Sequence, residues 1–130
     1  MREIKFRAWH ESKNGQVMLQ VGDKQGTTHP LDCCFYAMQG QPVTLMQYTG
    51  LKDKNGKEIF EGDILCHWDN LHTHKGAGVV EYYGAGFYLN QSIIAKKSTA
   101  LKLLGSCYVP LDKSVVIGNI YENPELLEKL

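Results

Sequence analysis

Apolar and polar positions alternate with a period of two near the start of the chain. Ile4, Phe6 and Ala8 alternate with Lys5, Arg7 and Trp9, the pattern of a half-buried strand whose second set faces solvent. Asn14-Gly15 precedes Val17-Met18-Leu19. Asn-Gly tolerates the positive φ of tight turns, so residues 3–21 are predicted to form a hairpin, with a loop longer than two residues. Residues 22–30 read as loop. Cys33 to Met38 fits a strand or a short helical turn, and six residues do not decide between them. Val43 to Tyr48 reads as a strand, Asp53-Lys54-Asn55-Gly56 as a turn, and Glu58-Ile59-Phe60 as renewed extended structure. Glu61-Gly62-Asp63 is a tight corner leading into Ile64-Leu65-Cys66-His67-Trp68. A glycine there lets the chain bend sharply, a device of small SH3-like barrels.

The second half continues in the same style. Asp69 to Gly78 is polar and histidine-bearing, and reads as an exposed loop. Val79 to Tyr83 and Phe87 to Leu89 flank Gly84-Ala85-Gly86, a further hairpin. Between Ser92 and Ser106, Ile93 and Ile94 suit a strand, and Lys97 to Leu104 has the Ala, Leu and Lys of a helical turn or two. Val115-Val116-Ile117 is a β-branched run and reads as a strand. Asn123-Pro124-Glu125 combines an N-cap candidate, a proline at the first helical position and an early acid, which together predict a short C-terminal helix. With no repeat, low-complexity tract or linker-like break, the pattern implies one mostly-β domain over residues 1–130.

Composition narrows the function classes. A hydrophobic content of 43% with 22% charged residues is that of a folded globular chain. Fourteen basic and fourteen acidic side chains cancel, so no global field steers the protein toward nucleic acid or an anionic membrane. The N-terminal residues carry no apolar signal core and nothing reaches membrane-spanning length, which implies a cytoplasmic protein. Cys33, Cys34, Cys66 and Cys107 include no C-x-x-C pair, which argues against a structural zinc site and for reduced thiols packed as small hydrophobes.

Three segments resemble the YopX family, small proteins encoded by bacteriophages, prophages and related elements. They are the opening Arg2-Glu3-Ile4-Lys5-Phe6-Arg7-Ala8-Trp9, the central run from Met46-Gln47-Tyr48-Thr49-Gly50 to Glu61-Gly62-Asp63-Ile64, and the closing Val116-Ile117-Gly118-Asn119-Ile120-Tyr121 to Leu127. Phe60 stands where such proteins often carry tyrosine, which removes a hydroxyl. The resemblance implies an all-β, mainly-β fold of coiled sheets. To this the Gly62-Asp63 corner adds a small SH3-like partial barrel, and the Asn123-Pro124-Glu125 signals add a short C-terminal helix. With no signal core, the expected location is the bacterial host cytoplasm. The resemblance brings no assigned activity and no cofactor. The signature positions Gln47, Tyr48, Thr49, Gly50, Asp53, Gly56, Glu61, Gly62, Asp63, Gly118 and Asn119 are expected to be structural.

The remaining chemistry divides into weak candidates. Gly50, Gly56 and Gly62 could cradle a phosphate, but no GxxxxGK[ST] pattern occurs and turn geometry accounts for them better. His67, His72 and His74, with Asp69 and Cys66 nearby, form the sharpest metal-site hypothesis, and a metal-dependent enzyme on this loop is the alternative function. An exposed polar loop is the plainer reading. Glu58, Glu61 and Asp63 surround a turn, and Cys66 or Cys107 could pair with a histidine, but no nucleophile elbow, zinc helix or kinase set is present. Arg2, Lys5, Arg7 and Lys13 with Phe6 and Trp9, and separately Lys96, Lys97 and Lys102, are basic patches of the kind that bind single strands. The expectation is a non-enzymatic binding module for a protein or nucleic-acid partner, with Tyr82, Tyr83, Tyr88 and Tyr108 as a contact surface and homo-oligomers compatible with its strand edges.

Overall fold

A computed structural model of the chain describes residues 5–12, 15–22, 27–68, 75–84, 86–91, 101–106 and 109–129. It is mostly strand, with two sheets, one of which curls into a half-barrel, and a short C-terminal helix. Two compact units divide the chain at Tyr48 and Thr49.

In the first unit, β1 (Phe6–Ser12) pairs antiparallel with β2 (Gly15–Val21), from Phe6 opposite Val21 to Ser12 opposite Gly15. Only two positions separate the strands, so the hairpin loop is shorter than the sequence suggested. The register closes it, and the Ser12 hydroxyl donates to the Gly15 carbonyl at 3.0 Å. On its other side β1 pairs with β3 (Val43–Lys52), from Phe6 opposite Gln47 to His10 opposite Val43. Between them α1 (Pro30–Met38) settles the ambiguity at Cys33–Met38 in favour of helix and extends it by three residues. Pro30 takes the first turn, where its missing N–H costs nothing, and His29 Nδ1 accepts from Leu31 N at 3.1 Å as the cap.

The alternation along β1 was only half right. Arg7 and Trp9 are not a solvent face; both are buried. Phe6, Ala8 and His10 lie on the α1 side, where the His10 ring stacks on Tyr36 at 4.2 Å and its Nε2–H donates to Gln41 Oε1 at 2.7 Å.

The last residues of β3, 49–52, belong to the second unit, where β4 (Glu58–Phe60) lies beside β3. The five-stranded sheet of this unit has the order β8-β7-β6-β5-β9. Its strands are β5 (Asp63–Trp68), β6 (Lys75–Tyr83), β7 (Gly86–Asn90), β8 (Lys102–Leu103) and β9 (Ser114–Asn119), with a 3₁₀ turn at Leu111–Lys113 before β9. The inner face carries Leu65, Val80, Phe87, Leu89 and Val116, which cluster with Ile59 of β4 and with Leu104 and Val109 as the main core. The opposite face at Ile64 and Val79 is covered by Ile120, Leu126 and Leu127, the last two from α2 (Leu126–Lys129).

Three expectations change here. Residues 75–78 are strand rather than loop, and Lys102–Leu103 pair with β7 instead of forming a helical turn. A Cβ at Gly78 would stand 2.7 Å from the Asn90 carbonyl oxygen, so β6 carries glycine where the neighbouring backbone comes close. Asn123 does not cap α2. Its Oδ1 accepts from Asn119 N at 3.2 Å instead, and the helix begins only at Leu126.

Candidate functional site

The signature residues of the second unit hold corners together. Gly50 sits at φ 84° inside β3, a conformation that only glycine adopts freely. Beside it the Thr49 hydroxyl donates to the Ile59 carbonyl at 2.8 Å and accepts from Leu51 N at 3.1 Å. Asp53 accepts from Asn55 N and Lys57 N on Oδ1, at 2.8 and 2.9 Å, and from Val116 N on Oδ2 at 2.9 Å. Burial alone would raise the Asp53 carboxyl, but these three backbone bonds and the Lys57 charge outweigh it and hold the group below the usual carboxylate range.

The second corner works the same way. Gly62 has φ 84°, donates its N–H to Val80 O at 2.8 Å and accepts at its carbonyl from Ile120 N at 2.9 Å. Buried Asp63 accepts from Phe60 N at 2.8 Å, while Glu61 is half-buried beside it. Gly56 donates to Asp53 O at 3.0 Å. The N–H groups of Gly56 and Gly62 therefore point into the protein and not toward a phosphate. Asn119 closes the third corner: Oδ1 accepts from Tyr121 N and Glu122 N, and Nδ2 donates to Glu122 Oε1. A Cβ at Gly118 would lie 2.5 Å from Asn123 Oδ1, so that position accommodates glycine alone without a shift. In the first unit Tyr48 is buried with the Lys5 ammonium 4.9 Å over its ring, and Gln47 is half-buried.

Of the proposed metal ligands, His67 is buried on the inner face of β5, opposite Gly76 and Ser114. Gln91 Nε2 lies 2.9 Å from His67 Nε2; with the amide donating, that ring nitrogen is the acceptor. Gly76 makes room for the pair, since a Cβ there would stand 2.5 Å from Gln91 Nε2 and 2.8 Å from His67 Nε2. His72, His74 and Asp69 lie outside the described residues, and among the described ones no His, Cys, Asp and Glu cluster has metal-site geometry. Cys33 is buried and Cys34 exposed on α1, Cys66 is half-buried, and Cys107 lies outside the described set. Burial and the neighbouring Cys34 push the Cys33 thiol upward, away from the reactive thiolate.

Of the basic patches, Arg7 is buried, Lys5 is engaged by Tyr48, and Arg2, Lys13, Lys96 and Lys97 lie outside the described residues. Tyr108 lies outside them too. The other tyrosines gather at the β6–β7 hairpin. Tyr83 pairs with Gly86, and Tyr88 pairs with both Glu81 and Leu103, so all of these share the outer face. Tyr83 is 66% exposed and Leu103 49%. Asn90 Nδ2 donates to Glu81 Oε2 at 3.1 Å on the same face. Tyr82 belongs to the inner face, where its half-exposed ring meets Phe87 edge-on at 5.1 Å.

Comparison with known proteins fixes the lineage. Residues 5–128 match the family described as YopX protein. The chain belongs to the YopX family. Among solved structures it is similar to protein EF1440 from Enterococcus faecalis, at 26% identity over 98% of this chain and 99% of that one, with a TM-score of 0.51. No curated protein matches the chain. No helix among the described residues is long and apolar enough to cross a membrane. The match thus extends beyond the two ends and the middle to nearly the whole of this chain, including residues 65–112, which carry no motif of their own.

Two features of these surfaces had little sequence signal. Gln91 stands 24 residues from His67 and meets it only through the β5–β6–β7 register. The apolar stripe of α1 is readable at helical spacing only once Pro30 is taken as the helix start.

Proposed function

We propose that this YopX-family chain is a phage or prophage accessory protein of the bacterial cytoplasm that acts by binding a protein or nucleic-acid partner, without catalysis. The observation that carries this reading is the open tyrosine surface of the β6–β7 hairpin. Tyr83 and Leu103 stand largely in solvent on a sheet face whose other half, at Ile64 and Val79, is sealed by α2. Rigid aromatic rings on a paired strand supply contact area at low entropic cost, which is why they anchor interfaces. The polar groups of the signature corners are occupied with the backbone, which leaves them little capacity to bind anything else.

The test compares wild type with Tyr83→Ala. Tyr83 lies off the core, so the variant should melt at the same temperature. Each is used to capture partners quantitatively from host lysate and is titrated with single- and double-stranded oligonucleotides. Specific binding that falls at least about tenfold in Tyr83→Ala, a hot-spot-sized loss, supports the reading. Blank results in every assay, or binding indifferent to Tyr83, overturn it.

A further inference from the structure

The first unit carries a second surface, independent of the tyrosine hairpin. On α1, Leu31, Phe35 and Met38 recur at the i, i+4, i+7 spacing of one helical face, and they are 70%, 56% and 85% exposed. A helix of a soluble protein normally turns such a stripe inward. Here the inward positions are occupied by others. Cys33 is buried against the sheet, and Tyr36 stacks on His10. The adjoining stripe, with Cys34 and Ala37, forms one wall of a groove whose other wall is Phe6, Val21, Val43 and Leu45 of the sheet. The groove encloses about 380 Å³. Ridge and groove are therefore neighbours on one continuous apolar surface.

We propose that this surface is a twofold interface between two copies of the chain, the α1 ridge of each seated in the groove of the other. A self-complementary patch is what an isologous dimer requires, and here both complementary shapes lie side by side in a single unit. Charge points the same way. Among the described residues neither ridge nor groove bears a charged side chain, so an acidic or basic partner segment would find nothing there to pair with. The one charge on the helix, Asp32, lies in its first turn. Antiparallel packing of two α1 helices places the two aspartates at opposite ends of the contact, where they do not repel at close range.

Area is sufficient for such a contact. At roughly 200 Å² per large side chain, the exposed fractions of Leu31, Phe35, Met38, Leu45 and Phe6 amount to about 600 Å² per copy. A pair would bury about 1,200 Å², the lower limit of specific interfaces, so the contact is just large enough for a specific dimer.

The experiment is sedimentation velocity with light scattering on the full chain from about 1 µM to about 500 µM, where mass action should shift a weak dimer. Wild type is expected to rise from one chain mass toward two. Phe35→Glu and Met38→Glu, which place a charge on an exposed ridge and leave the core untouched, are expected to stay monomeric at every concentration. Should either variant lose its fold by circular dichroism, the wild type still decides: maleimide labelling of Cys34, located by mass spectrometry, should slow at least about fivefold between the dilute and concentrated ends. A wild type monomeric at the highest concentration overturns the proposal. So does self-association that persists in folded ridge variants, or Cys34 labelling that is insensitive to concentration. None of these outcomes bears on Tyr83, so failure here leaves the partner-binding reading to its own test.

Discussion

Replacing Asp53 by asparagine removes one oxygen and the charge while keeping the shape. The remaining carbonyl can still accept from Asn55 N and Lys57 N, the two bonds made by Oδ1. The new amide then faces Val116 N, which now lies 2.9 Å from Oδ2, and two donors meet. Val116 is buried on β9, so no water replaces the lost acceptor. A stranded buried N–H costs about 1–3 kcal/mol, and weakening two charge-assisted bonds adds to it, so Asp53→Asn should lose about 2–3 kcal/mol. Urea unfolding checks this: with a slope of roughly 1–3 kcal/mol per molar, the midpoint should fall by about 1 M or more at unchanged slope.

The acid limb supplies a second readout. The folded carboxyl titrates below its unfolded value of about 3.9. Its stabilisation is therefore fully present above that pH and is lost as pH falls through the lower folded pKa. The gap between wild type and Asp53→Asn should be constant from about pH 5 to 7 and shrink below about pH 4. A variant whose midpoint matches wild type at neutral pH would refute the assignment of Asp53 as the acceptor that completes β9.

Gly118→Ala should destabilise by about 1–3 kcal/mol, because the new methyl meets Asn123 Oδ1 at 2.5 Å and displaces the bond to Asn119 N. Adding Asn123→Ala should relieve part of that cost, and strictly additive losses in the double-mutant cycle would contradict the contact. Zinc added to the full chain should leave Tm unchanged, since His67 is buried and engaged by Gln91. Stoichiometric metal that is lost in His72→Ala or His74→Ala, which lie outside the described residues, would favour the metal-dependent alternative instead.

Local signals reached as far as single elements. The β-branched run at Val115–Ile117, the hairpin around Gly84–Gly86 and the corner at Gly62 were all legible because turn chemistry and period-two patterning lie within a few residues. Helix α1 was blurred by the adjacent cysteines and by a histidine cap, which is not among the usual N-cap residues. The start of β6 was missed for a different reason. Lys75 to Gly78 has no alternation to read, because its glycines are dictated by Gln91, His67 and the Asn90 carbonyl across the sheet. Likewise, a period of two along β1 cannot report that Arg7 and Trp9 are covered as well as Ala8. Of the candidate surfaces, the tyrosines were visible as residues but not as a shared face, which needs the register that places Tyr83 opposite Gly86 and Tyr88 opposite Leu103.

The curvature of the second unit accounts for the aspartate, asparagine, threonine and glycine at its corners in this chain. Bending a sheet breaks its ladder, and each break leaves a backbone group that must find another partner. Between Ile64 and Leu65 the pairing with β9 shifts register, skipping Ile117, and the N–H of Val116 goes to Asp53. At the Gly62 corner the N–H of Phe60 goes to Asp63. Where β9 ends, Asn119 takes the N–H groups of Tyr121 and Glu122 while Asn123 takes that of Asn119. Each motif thus supplies an acceptor that the curled sheet itself lacks, next to a glycine that makes the bend. A side chain fixed by such backbone bonds cannot reorient toward a ligand without breaking them, at about 1–3 kcal/mol for each N–H left buried and unpaired. The tyrosine hairpin and the α1 ridge carry no such obligation. Function that varies among chains of this architecture is therefore expected at those surfaces, with the signature holding the curvature beneath them.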